Sequence, residues 1–150
     1  MESEQMVELL RRVRHDFANH LQVIGGYLEL GQPERVKGYL RTVMEDIGAE
    51  RIVFESQSGQ AALYFYEQIL MAYDMGITLR YEDIDVDDWE LLKASGNPCK
   101  SLADLSKDLL GSDEDVIVYL SIYEDQQGVD MFFSCAQWED SSKGIRVSKE

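Results

Sequence analysis

The sequence predicts an α+β protein. An N-terminal antiparallel helical hairpin, able to dimerise into a four-helix bundle, is followed by a small α/β domain. Three observations carry this. Residues 6 to 28 hold apolar side chains spaced in threes and fours, the mark of an amphipathic helix. The punctuation Gly31-Gln32-Pro33 follows at once. Beyond residue 57 the pattern mixes short helical stretches with alternating runs such as Ile77-Thr78-Leu79-Arg80-Tyr81-Glu82. The domains are expected at residues 1–56 and 57–150.

The first helix is expected from about Ser3 to Leu30. On a wheel of roughly 100° per residue, Met6, Leu10, Val13, Phe17, Leu21, Ile24 and Leu28 form one stripe. Gly25 and Gly26 weaken the helix but would let another surface come close on its exposed side. Pro33 suits the first turn of a second helix, expected to run to about Ile52. Val36, Tyr39 or Leu40, Val43 and Ile47 supply its stripe. Two such helices expose more apolar surface than one hairpin buries, so a second hairpin is expected to complete a homodimeric bundle.

Ser56-Gln57-Ser58-Gly59 reads as a linker, and residues 61–73 as a very apolar helix ending at Gly76. Residues 77–82 are a strand. A short helical piece is expected near Trp89 to Leu92, and a helix over Leu102 to Leu110 that stops at Gly111. Residues 116–123 and 129–135 are strands joined as a hairpin by Gln126-Gln127-Gly128. The polar tail from Glu139 is expected to fray.

Composition excludes several classes. The 150 residues are 45% hydrophobic and 29% charged, a globular balance sufficient for one domain or two small ones. No apolar run approaches the roughly 18 residues of a membrane span, and Met1-Glu2-Ser3-Glu4-Gln5 is too acidic for a signal peptide. Net charge is −15, which argues against nucleic acid. Residues 1–41 hold six basic and six acidic side chains, whereas the rest holds eight and 23. The hairpin is therefore neutral, with a local cluster at Arg11, Arg12 and Arg14. Those arginines could complement an acidic partner or simply solvate the helix. Cys99 and Cys135 lack metal-ligand spacing, so free thiols in a reducing cytoplasm are expected. No metal or cofactor site is expected in the chain.

Both histidines lie in Arg14-His15-Asp16-Phe17-Ala18-Asn19-His20. On the wheel His15 projects roughly 170° from the centre of the apolar stripe, into solvent. His20 projects only about 50° from it and should be partly buried. Arg11 and Asn19 share the face of His15, one turn either side. A neutral imidazole there can act as a nucleophile toward a phosphoryl group. Arg11 would suit the charge of that group, and Asp16 could hold the ring in one tautomer. The wheel alone favours the reading of an ordinary surface histidine on a helix.

Arg-His-Asp-Phe-x-Asn-His-Leu-Gln-Val-Ile, then Gly-Tyr-Leu-Glu-Leu-Gly and Glu-Arg-Val-x-x-Tyr-Leu, resembles the phosphoacceptor hairpin of a known family. This is the sporulation initiation phosphotransferase B / SpoOB-type sensor histidine kinase helical-hairpin family. The resemblance covers about residues 9 to 45. It implies that His15 is the phosphoacceptor, that the hairpin dimerises, and that His20 has a structural role. Ala18 departs from the pattern, where a bulkier residue such as Met is usual.

The second domain resembles the start of a histidine-kinase ATPase domain, shortened and degenerate. Such kinases place a magnesium-holding Asn on the helix before the strand hairpin, and residues 102–110 contain none. An Asp-x-Gly box and glycine-rich loops should follow, but only Asp140-Ser141-Ser142-Lys143-Gly144 does. No Gly-x4-Gly-Lys-Ser/Thr loop exists either. Little would therefore hold ATP. The expected function is a cytoplasmic phosphorelay phosphotransferase. His15 would carry a phosphoryl group between response-regulator receiver domains, with Mg2+ supplied by the receiver. The alternatives are a truncated sensor kinase phosphorylated in trans and a non-enzymatic dimer that binds a kinase or receiver.

Overall fold

The computed structural model describes residues 2–109, 115–139 and 141–149. They form two compact units, Met1–Ala49 and Glu50–Glu150.

The first unit is a helical hairpin. Helix α1 spans Ser3–Glu29 and helix α2 spans Pro33–Ser56. The link is tight because Gly31 adopts φ +67°, a left-handed conformation that costs glycine little. This lets the Gln32 N–H donate to the Tyr27 carbonyl at 2.9 Å and ends α1. Ring contacts of Tyr39 with His20 and Tyr27, and Arg35 over the Tyr27 ring, hold the helices antiparallel.

The apolar stripes meet only in part across this hairpin, and apolar surface is left exposed. The half-buried residues of α1 are centred on Leu9, Asp16, His20, Val23 and Tyr27. On α2 they include Val36, Tyr39 and Val43. Leu10, Val13, Phe17, Leu21 and Leu28 lie roughly a quarter turn away and remain exposed, Phe17 at 63%. The expected α2 stripe divides the same way: Leu40 and Ile47 point outward together with Met44, which is 70% exposed. One hairpin thus buries the edges of its stripes and leaves their centres in water. The four glycines Gly25, Gly26, Gly38 and Gly48 lie within these helices, and a Cβ at any of them would meet nothing within 4 Å.

Helix α2 runs past the expected end at Ile52 to Ser56. Its final turns belong to the second unit, where Val53 is fully buried. Helix α3, Gly59–Asp74, starts on Ser58, whose hydroxyl accepts from Ala61 N at 3.4 Å. Strand β1 is Ile77–Asp85, helix α4 is Trp89–Ser95 and helix α5 is Cys99–Leu105. Strands β2 Val116–Glu124, β3 Gly128–Ser134 and β4 Lys143–Ser148 complete the unit, with a 3-10 turn at Ala136–Trp138. Helix α5 begins and ends earlier than the expected 102–110. Its start is set by Asn97, whose Oδ1 accepts from Ser101 N at 3.2 Å. The expected stop at Leu110 and Gly111 lies outside the described residues, as does Asp140.

The sheet order is β1-β2-β3-β4, with β1 and β2 parallel and the rest antiparallel. Its inner face carries Ile77, Leu79, Tyr81, Leu120, Ile122, Met131 and Phe133 in the core with Phe65 of α3 and Leu102 of α5. A register shift between Tyr81 and Asp83 returns Ile84 to that face after two exposed residues.

Strand β4 corrects the expectation of a frayed tail. Ile145 and Val147 pack on the core, while Arg146 between them pairs with Asp130 and Asp125, each at 2.8 Å. Gly128 makes the close approach possible: a Cβ there would lie 2.5 Å from the Val147 carbonyl oxygen.

Candidate functional site

The site candidates lie on the solvent side of α1. His15 has a side chain 74% exposed, in agreement with the wheel. Its Nδ1 is 3.4 Å from Asn19 Nδ2, one turn on, and 3.7 Å from Asp16 Oδ1. Both expected neighbours therefore address the same ring nitrogen. A carboxylate can only accept, so Asp16 favours the tautomer with hydrogen on Nδ1. The amide of Asn19 can turn either its nitrogen or its oxygen toward the ring, and suits either tautomer. With Nδ1 protonated, Nε2 carries the lone pair a nucleophile needs.

Arg11 is less available than its place on the wheel suggests. It forms an ion pair with Glu8, both side chains being 69% exposed. An exposed pair of this kind is weak and readily exchanged, so Arg11 can still swing toward an arriving anion. The residue that sequence reasoning did not single out for His15 is Arg12. Its Nε lies 3.8 Å from Asp16 Oδ2, an i, i+4 contact legible in the spacing itself. Arg14 is exposed. The three arginines thus have different surroundings.

His20 is set apart from this chemistry. It is half-buried, and its Nδ1 lies 2.6 Å from the Tyr39 hydroxyl, with the rings 5.6 Å apart. On α2, Lys37, Leu40, Arg41, Met44 and Glu45 line a shallow groove of about 440 Å³.

Residues 1–55 match the family model described as Sensor kinase SpoOB-type, alpha-helical domain. The chain carries a SpoOB-type helical domain. No curated protein matches the chain. A SpoOB-type helical domain is a dimerisation and partner-binding module of two-component systems, and the match covers the hairpin alone. Among the described residues no helix is long and apolar enough to cross a membrane.

The chain has two asparagines, Asn19 and Asn97. Asn97 precedes α5 but is 95% buried, and its side chain bonds Ser95 and Ser101. Among the described residues no three His, Cys, Asp or Glu side chains gather as metal ligands. Cys99 and Cys135 are free and buried. Burial pushes the Cys99 thiol up to about 11, so it is a poor nucleophile at neutral pH.

Proposed function

We propose that the protein is a phosphorelay phosphotransferase that carries a phosphoryl group on His15 between response-regulator receiver domains. The observation that carries this reading is the exposed His15, with Asp16 and Asn19 on its Nδ1, inside a SpoOB-type helical domain. A receiver bearing an aspartyl phosphate docks on α1, and Nε2 of His15 attacks the phosphorus in line. The N–P bond forms as the P–O bond to the receiver aspartate breaks, and the electron pair leaves with that carboxylate. Asp16 stabilises the positive charge that develops on the ring. A second receiver aspartate then reverses these events. The receiver's Mg2+ supplies charge neutralisation on the phosphoryl oxygens. Positioning does most of the work.

The functional unit in this reading is a homodimer. The exposed centres of the α1 and α2 stripes are covered by a second hairpin, giving a four-helix bundle. The second unit is a degenerate ATPase-like domain, with Asn97 buried and no asparagine on α5 to hold magnesium. The protein works in the cytoplasm and binds neither nucleic acid nor membrane.

The test is to mix the full chain with a panel of phosphorylated receivers and read acid-labile, base-stable label. Label on His15, abolished in His15→Gln, is expected. Tight receiver binding without label would replace the relay with a non-enzymatic regulator. Saturable ATP binding with autophosphorylation would replace it with a sensor kinase.

A further inference from the structure

We propose that Arg12 is a positioning residue that fixes, through Asp16, which ring nitrogen of His15 carries the proton. This rests on the reading of His15 as phosphoacceptor, which gives the choice of nitrogen its consequence.

Three side chains in sequence along α1 form the chain of contacts. Arg12 Nε stands 3.8 Å from Asp16 Oδ2, and Asp16 Oδ1 stands 3.7 Å from His15 Nδ1. Each carboxylate oxygen thus addresses one neighbour. Asp16 by itself is a weak guide, because its side chain is 44% exposed and free to rotate into water. Arg12 can restrain it. Its side chain is only 30% exposed, against 69% for Arg11, so it has fewer positions to leave to. Arg11, nearer His15 on the wheel, pairs with Glu8 and does not set Asp16.

With Asp16 held, its second oxygen stays 3.7 Å from Nδ1, where its negative charge favours the tautomer with hydrogen on that nitrogen. Asn19 follows, since its amide oxygen can take the same hydrogen. The lone pair then resides on Nε2, and the N–P bond forms there. With Arg12 removed, the carboxylate samples water, and more of the ring holds its hydrogen on Nε2, where it blocks attack.

The tautomer of His15 is measured by long-range 15N–1H NMR in the full, unphosphorylated chain at pH 8. The Nδ1–H form is expected to dominate. Arg12→Gln should shift the tautomer ratio toward Nε2–H by about two- to threefold, the size expected of an exposed i, i+4 pair. Arg12→Lys, which keeps the charge, should restore most of it. Asp16→Asn should give the same shift, and Arg12→Gln on that background should add nothing. If Arg12→Gln fails to fold, the Arg12→Lys and Asp16→Asn ratios decide. An unchanged ratio in Asp16→Asn, or in a folded Arg12→Gln, overturns the proposal. So does a native chain dominated by Nε2–H. The measurement needs no receiver. A chain that never accepts phosphate yet shows the Arg12-dependent ratio sinks the relay and leaves the positioning role standing.

Discussion

The Tyr39 hydroxyl and His20 Nδ1 lie 2.6 Å apart across the hairpin. This bond ties α2 to the same helix that presents His15 to water. The two histidines, five positions apart, therefore have separable effects. His20→Gln should lower stability by about 1 kcal/mol through the lost hydrogen bond and leave phosphoryl transfer in place. His15→Gln should change stability by less than about 0.5 kcal/mol, because an exposed helix side chain contributes little. Thermal melts of both variants check this, and equal melting losses would contradict it.

Phe17 should matter far more to assembly than to the fold of one chain. It is 63% exposed in the single hairpin, at the centre of the outward stripe. Phe17→Glu is expected to convert a dimer to a monomer in light scattering at micromolar concentration while far-UV dichroism stays helical. A monomeric native chain would remove the four-helix bundle from the proposed function.

Asp125 and Arg146 give the second unit an acid-sensitive clasp. Hydrogen bonds from Arg146, then from the Gln127 amide, lower the Asp125 carboxyl from its usual 3.8 to about 2. A lowered folded value means stability that is full above the unfolded value and lost as pH falls through the folded one. The clasp should therefore weaken between about pH 4 and pH 2. Arg146→Ala should bring the Asp125 titration back toward its ordinary value and speed amide exchange in β4. An Asp125 carbon shift that titrates identically in both proteins would contradict this.

Cys99 should resist thiol reagents in the native chain at pH 8. Burial and the raised thiol value leave little thiolate to react. Full labelling is expected only in denaturant, and rapid stoichiometric native labelling of Cys99 would show that its pocket opens.

Much of this was legible in the sequence. The 3.6-residue period located α1, the Gly31 break located the turn, and the alternation at residues 77–82 located β1. The wheel separated His15 from His20 because an exposed and a half-buried face differ in composition. It could not say which face α2 would take. That choice depends on Tyr39 reaching His20, a contact between residues 19 apart in sequence. Strand β4 was missed because Lys143, Arg146, Ser148 and Lys149 make the segment read as polar. Only the pairing with β3 reveals Ile145 and Val147 as partly buried residues packed on the core. Arg12 was read as part of a charge cluster, since spacing gives proximity but not which carboxylate a guanidinium chooses.

The glycines of the hairpin give its helices a particular mechanical character. Gly25, Gly26, Gly38 and Gly48 each have open space where a side chain could stand. Each costs its helix about 1 kcal/mol relative to alanine. Two rods that could have been stiff are thus left compliant at four points, by an amount comparable to a sizeable share of a small domain's total stability. The hairpin's rigidity is therefore a property largely held in reserve, to be supplied by whatever packs against it. Its backbone motions should damp more on assembly than those of an alanine-filled counterpart, which would be rigid from the start.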